Sequence, residues 1–240
     1  MIRITILIAS AILPTALLWL YIWRKDPLKE PTYQLVKAVM YGICTVFVAG
    51  AIEMVIKSLL LGPDGEPTTI LDTAAMAFIV AAIPEESLKL LALWLVLRRN
   101  PYFDEHFDGI VYAVSIGLGF AAMENVAYLA EGGDNWVILA VCRALLAVPG
   151  HYAFAVLMGY YYSIYHFTDK SFRNWLLVLV APVLAHGIYD SLAMSGVVDP
   201  IVGGICAFGL IYFCIRMHKF AYKKVLAQIS KDNNQRSVFS

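Results

Sequence analysis

Charge is scarce in this chain. Asp, Glu, Lys and Arg make up 15% of its 240 residues, against about 25% in a typical soluble domain. That shortage excludes an ordinary water-soluble domain, and a formal net charge of zero removes any reason to expect a nucleic-acid partner. There are four cysteines, Cys44, Cys142, Cys206 and Cys214, with no CxxC or Cys/His spacing. This excludes a zinc finger and a disulfide framework, and each reads as a small buried hydrophobe. Internal repeats and low-complexity segments are absent. Three loops, 62–69, 131–134 and 195–199, contain no Lys or Arg.

Apolar length is what the chain has. It is 60% hydrophobic, with a mean hydropathy of +0.71. Stretches at 3–23, 33–61, 70–98, 108–130, 135–165, 173–195 and 198–217 each reach the roughly 20 residues that a helix needs to cross a bilayer. The expected fold is all-α: a polytopic transmembrane helix bundle of about seven spans, one integral membrane domain over 1–230 with its core at about 70–195. The polar tail 231–240 is expected to be disordered in the cytoplasm. Turn chemistry marks the breaks, at Gly62-Pro63-Asp64-Gly65, Asn100-Pro101, Gly132-Gly133 and Asp199-Pro200.

The basic residues lie between alternate spans: Arg24, Lys25, Lys29 and Lys37, then Arg98 and Arg99, Lys170 and Arg173, and Arg216, Lys219, Lys223 and Lys224. The positive-inside rule places the N-terminus outside and the C-terminus in the cytoplasm. Only Arg3 precedes the first apolar run while three basic residues follow it, an order that suits a retained helix over a cleaved signal. Trp19, Trp23, Trp136 and Trp175 fall near span ends and read as interface anchors. Glu53 and Lys57, four apart on the second span, read as an i,i+4 pair.

The informative residues are the ionisable ones left inside the spans. Glu85 and Glu86 stand together in the third, with Lys89 one turn on; Glu124 and Asn125 lie in the fourth, Arg143 and His151 in the fifth, His186 and Asp190 in the sixth. A carboxylate in hydrocarbon costs roughly 2.5–3.5 kcal/mol on insertion scales and usually faces a polar cavity. At 1.5 Å per residue, Glu85 and His151 lie roughly 20 Å from the outer ends of their spans, His186 about 14 Å and Glu124 about 9 Å. One cluster is compatible with these depths. Pro84, Pro149 and Pro182 sit beside the same positions, and each removes a backbone hydrogen bond that a wet cavity can compensate.

Such a set supports general acid–base chemistry or a divalent metal. The glutamates can activate water, and the spacing singles out Glu85 because it is one i,i+4 step from Lys89. His186 can donate to a developing oxyanion with Asp190 orienting it, while Glu124, His151 and His186 are the better metal ligands. Arg143, nearer the surface, reads as structural. His106, His166 and His218 fall in cytoplasmic loops and carry no signal, and Asp104 to Asp108 starts the fourth helix.

These residues form motifs. Glu85-Glu86-Ser87-Leu88-Lys89 resembles the EExxK motif of the PrsW proteases. Phe107 to Tyr112 followed by Gly119 to Asn125 is similar to that family's second block, and Pro149-Gly150-His151 and His186 to Asp190 to its third and fourth. The likeness covers about 70–195. The family shares a superfamily with CAAX prenyl proteases and bacteriocin-immunity proteins. Glu124 stands where the prenyl proteases have His, and Asp190 where Asn is usual, which argues against a prenyl protease. The resemblance implies an intramembrane endopeptidase of the bacterial cytoplasmic membrane. Its substrate would be a single-span membrane protein, an anti-sigma factor cut first on its extracytoplasmic side in a stress response. Glu85 and Glu86 would provide the base, with His186, Asp190, Glu124 and His151 around them and Lys89 and Asn125 in support. The cofactor is either one divalent metal, zinc, or none if the enzyme is a glutamate protease; membrane lipid is the surrounding partner. A proton-coupled transporter, whose relays also use buried acids and His, and a non-enzymatic immunity-type protein are the competing expectations.

Overall fold

Long apolar runs closed by Gly, Pro and Asn turns become seven helical rods. A computed structural model describes residues 2–62, 65–197 and 199–239; the turn residues Pro63 and Asp64 lie outside the described residues, as does Ser240 of the tail. The rods are α1 (Ile2–Lys25), α2 (Thr32–Leu61), α3 (70–97), α4 (His106–Glu131), α5 (136–168), α6 (Phe172–Met194) and α7 (Pro200–Phe239). Among the described residues, six helices are long and apolar enough to cross a membrane. The remaining rod, α3, is the one that carries Glu85, Glu86 and Lys89.

Buried residues line all sides of α4, from Phe107 to Phe120 without a break. It is apolar all round, as a helix surrounded by others must be, and it packs against α1, α2, α3, α5 and α7. Glycines set the close approaches. A Cβ on Gly159 of α5 would lie 2.3 Å from the Gly109 carbonyl oxygen of α4, and one on Gly42 of α2 would lie 2.1 Å from that of Ile116. Small residues at such crossings let backbones touch where lipid offers no hydrophobic drive.

Pro84 and Pro149 are absorbed by π-helical turns. Met76–Ala82 precedes Pro84, with the Ile83 N–H donating to the Phe78 carbonyl, and Arg143–Ala147 precedes Pro149, with the Val148 N–H donating to the Arg143 carbonyl. One extra residue per turn turns the following side chains by about 100°, and such insertions recur at functional sites. Pro182 stays within an uninterrupted α-helix.

Five expectations are corrected. The tail is helical: α7 runs on to Phe239, because Asp232 accepts hydrogen bonds from the backbone N–H groups of His106 (2.9 Å) and Phe107 (2.9 Å) and Arg236 pairs with Glu105. His106 is accordingly not a loop residue but the buried start of α4, its ring within 3.0 Å of Asp232 and of Thr168; His166 lies on the last turn of α5, and His218 stacks on Tyr152 from α7. Lys57 pairs with Glu66 at 2.9 Å in place of Glu53. Trp19 turns inward, its indole N–H donating to Ser115 Oγ at 3.0 Å, since an indole needs an acceptor once packed. The cysteines are all free; Cys214 is buried, but Cys44 and Cys142 are exposed on outward faces.

Candidate active site

The π-turn of α3 delivers Glu85 and Glu86 into the bundle, where they are 4% and 1% exposed. Lys89 Nζ lies 2.8 Å from Glu85 Oε2 and 2.9 Å from Glu86 Oε1. Spacing alone had favoured Glu85; the ammonium bonds both acids because i,i+3 and i,i+4 neighbours share one helix face. The same Nζ lies 3.4 Å from His151 Nδ1 and 3.8 Å from the centroid of the Phe120 ring, a cation–π contact that shields it from lipid.

His151 enters from α5, just beyond its π-turn. Its Nε2 lies 2.8 Å from Glu124 Oε2, so Nδ1 turns toward Lys89. His186 enters from α6. Its Nδ1 is 2.9 Å from Glu86 Oε1 and 4.0 Å from Glu85 Oε2, and its Nε2 is 3.2 Å from Asp190 Oδ2. Phe154 stacks on the His186 ring with centroids 4.9 Å apart. Gly187 is required beside it: a Cβ there would lie 2.3 Å from the Phe78 ring of the α3 π-turn.

The two rings are held alike. Each has Nε2 on a carboxylate and Nδ1 on the interior, the arrangement by which outer carboxylates orient metal-binding imidazoles. One donor atom from each of Glu85, His151 and His186 lies within 4.8 Å of the others. Sequence reasoning had grouped Glu124 with the histidines as ligands. In the structure Glu124 stands behind His151, and Arg143 Nη2 reaches it at 2.5 Å. Asn125 bridges outward, accepting from Arg143 Nε at 2.5 Å and donating to the Ala11 carbonyl at 3.1 Å.

Arg143, which reads as structural from the sequence, anchors both Glu124 and Asn125. One residue escapes the sequence reasoning. Glu53 of α2, freed from Lys57, lies within electrostatic reach of Glu85, Glu124, Lys89 and His186. The available signal was its position as an acid in a 30-residue apolar helix. One atom stands out inside the cluster: Glu86 Oε2 is buried with no hydrogen-bond partner among the described residues.

A membrane bundle whose interior holds two glutamates and two histidines at bonding distance has the makings of an intramembrane hydrolase. A family model described as PrsW family intramembrane metalloprotease matches residues 30–218. Curated relatives named Protease PrsW align with most of the chain: the protein of Geobacillus kaustophilus is 35% identical over 79% of this chain and 80% of its own, and that of Bacillus subtilis 36% over 77% and 81%. The Clostridioides difficile relative is 31% identical over 77% of each. No solved structure matches. The chain is thus an intramembrane protease, a multi-pass protein of the cell membrane. It belongs to the PrsW family.

Proposed function

We propose that this protease makes the first cut in a single-span membrane protein of the anti-sigma-factor type, with Glu86 as the base that activates water. The observation that carries this reading is the convergence of Glu85, His151 and His186 within 4.8 Å beside the unpartnered Glu86 Oε2. Lys89 and His186 both bond Glu86 Oε1, which leaves Oε2 as the oxygen able to accept a proton. Water delivered to that oxygen loses its proton to Glu86 as its oxygen bonds the scissile carbonyl carbon. The C–N bond then breaks, and the proton passes to the departing amine.

The donor chemistry fits the metal that the family description implies. One carboxylate and two imidazoles are a catalytic zinc set, and one donor atom from each converges within 4.8 Å in the bundle interior. Glu85, His151 and His186 would hold the metal, which when bound supplies a positive charge that acidifies water and stabilises the oxyanion. Glu124 and Asp190 fix the two rings, and Arg143 with Asn125 fixes Glu124. The Phe120 ring lies against the Lys89 ammonium and the Phe154 ring stacks on His186.

The test is co-expression with a tagged single-span anti-sigma factor and replacement of Glu85, Glu86 and His186 singly by Ala. Loss of the cut fragment in each variant that still accumulates in the membrane is expected. Persistence of the fragment in all three would remove the assignment.

A further inference from the structure

A second group of carboxylates lies at the opposite region of the molecule, at the bundle end that the basic loops assign to the cytoplasm. Asp26 and Glu30 come from the α1–α2 connection, Glu105 and Asp108 from the start of α4. Asp26, Glu30 and Asp108 are 2%, 7% and 1% exposed. One oxygen from each of Asp26, Glu105 and Asp108 lies within 4.8 Å of the others, and Glu30, whose carboxylate accepts from the Tyr112 hydroxyl, is buried beside them.

Local hydrogen bonds use only half of each aspartate. The Leu28 N–H donates to Asp26 Oδ1 at 3.1 Å, and the N–H groups of Asp104 and Glu105 donate to Asp108 Oδ2 at 3.1 and 2.7 Å. Asp26 Oδ2 and Asp108 Oδ1 are buried with no hydrogen-bond partner among the described residues. Two orphaned carboxylate oxygens in one buried cluster are costly unless something unaccounted for binds them. The nearby cations do not suffice. Lys29 spends its ammonium on the carbonyls of Trp23 and Asp26, and Arg236 pairs with Glu105. At formal charge, four carboxylates against these two cations leave an excess of two negative charges.

We infer that Asp26, Glu30, Glu105 and Asp108 form a binding site for one hard divalent cation, calcium or magnesium, separate from the protease centre. The donors are all oxygens, with no His or Cys among them, which selects for these ions over zinc. Oxygens within 4.8 Å of one another suit one ion with ligands at roughly 2.3–2.6 Å for calcium, or about 2.0–2.1 Å for magnesium after a small contraction. Such an ion ties the α1–α2 connection to the start of α4, and through Arg236 and Asp232 to the end of α7. It thereby sets the cytoplasmic end of α4, the helix that carries Glu124.

The experiment uses the full chain in detergent micelles, stripped of metal and titrated with calcium alone or magnesium alone. Ion binding is read by equilibrium dialysis and thermal stability by circular dichroism. Saturable binding of about one ion per chain with a raised Tm is expected, and the preferred ion identifies which of the two the site takes. Asp108→Asn and the milder Glu30→Gln should each weaken binding by at least about tenfold, while His186→Ala should bind as the parent does. Three results would each overturn the site: no saturable binding of either ion, binding unchanged in both Asp108→Asn and Glu30→Gln, or binding lost in His186→Ala. Stabilisation by lowering the pH from 8 to 6, with no response to either ion, would show that protons alone neutralise the cluster and would overturn it equally.

Discussion

Glu86 and His186, 100 residues apart in sequence, meet at 2.9 Å inside the bundle, while the second oxygen of Glu86 stays buried and unpartnered. Glu86→Gln keeps the shape and the hydrogen-bonding reach of the side chain but cannot accept a proton from water. Cleavage of a co-expressed single-span substrate is expected to fall by about 10²–10⁴-fold, with membrane accumulation unchanged. An active Glu86→Gln variant would transfer the role of base to Glu85.

Lys89 is the ammonium shared by both acids, and it is itself 4% exposed. Removing one partner of a buried ion pair costs about 3–5 kcal/mol, so Lys89→Met should lower thermal stability in detergent markedly. The triple variant Lys89→Met, Glu85→Gln, Glu86→Gln should regain much of that stability and none of the cleavage. If Lys89→Met melts with the parent, the ammonium is not the group that balances these carboxylates.

Metal content gives an independent reading. Elemental analysis of protein purified without chelator should find about one zinc per chain, and Glu85→Gln or His186→Ala should lose it. Glu124→Gln and Asp190→Asn, which disturb only the outer contacts of the rings, should lower zinc affinity by about 10–100-fold. Full cleavage by metal-free protein in chelator would instead point to water activated by the glutamates alone.

Helix spacing can be tested away from the chemistry. Gly159→Ala would drive a Cβ into the Gly109 carbonyl at 2.3 Å, whereas Gly50 has nothing within 4 Å. The first change should destabilise by about 1–3 kcal/mol through overpacking, and the second should be neutral or stabilise by about 0.4–1 kcal/mol. Thermal melts of the two variants in the same detergent distinguish them.

Asp232 ties the end of α7 to the start of α4. Asp232→Ala leaves the His106 and Phe107 N–H groups unpaired, and charged hydrogen bonds of this kind are worth about 1.5–3 kcal/mol. A lowered Tm with substrate cleavage retained is expected, and truncation after residue 230 should behave alike. An unchanged Tm in both would mean that the contact contributes nothing to stability.

The amino-acid order made much of this legible. Apolar length announces seven helices, and the cost of an ionisable group in hydrocarbon points to Glu85, Glu86, Glu124, His151 and His186. Glu53 and Lys57 show where such reasoning stops. An i,i+4 spacing permits a pair, but Glu66 was the nearer acid once the chain turned after α2. The tail failed for a related reason: its polar composition suggested disorder, yet Asp232 found two backbone donors 126 and 125 residues away.

Local rules thus sufficed for span lengths and for which residues are too polar to face lipid, since both depend on neighbours along one helix. The basic-loop bias that orients the chain is equally local. Pairings were another matter. That Arg143 holds Glu124, that Glu85 joins the histidines while Glu124 stands behind one of them, and that Glu86 keeps a free oxygen all depend on the rotation of α3 and α5 beyond their π-turns. They depend as well on the close approach of α6 at Gly187. Pro84 and Pro149 mark the π-turns locally, but which partners the rotated side chains meet is set by contacts between helices far apart in the chain, and no spacing within a single helix encodes them.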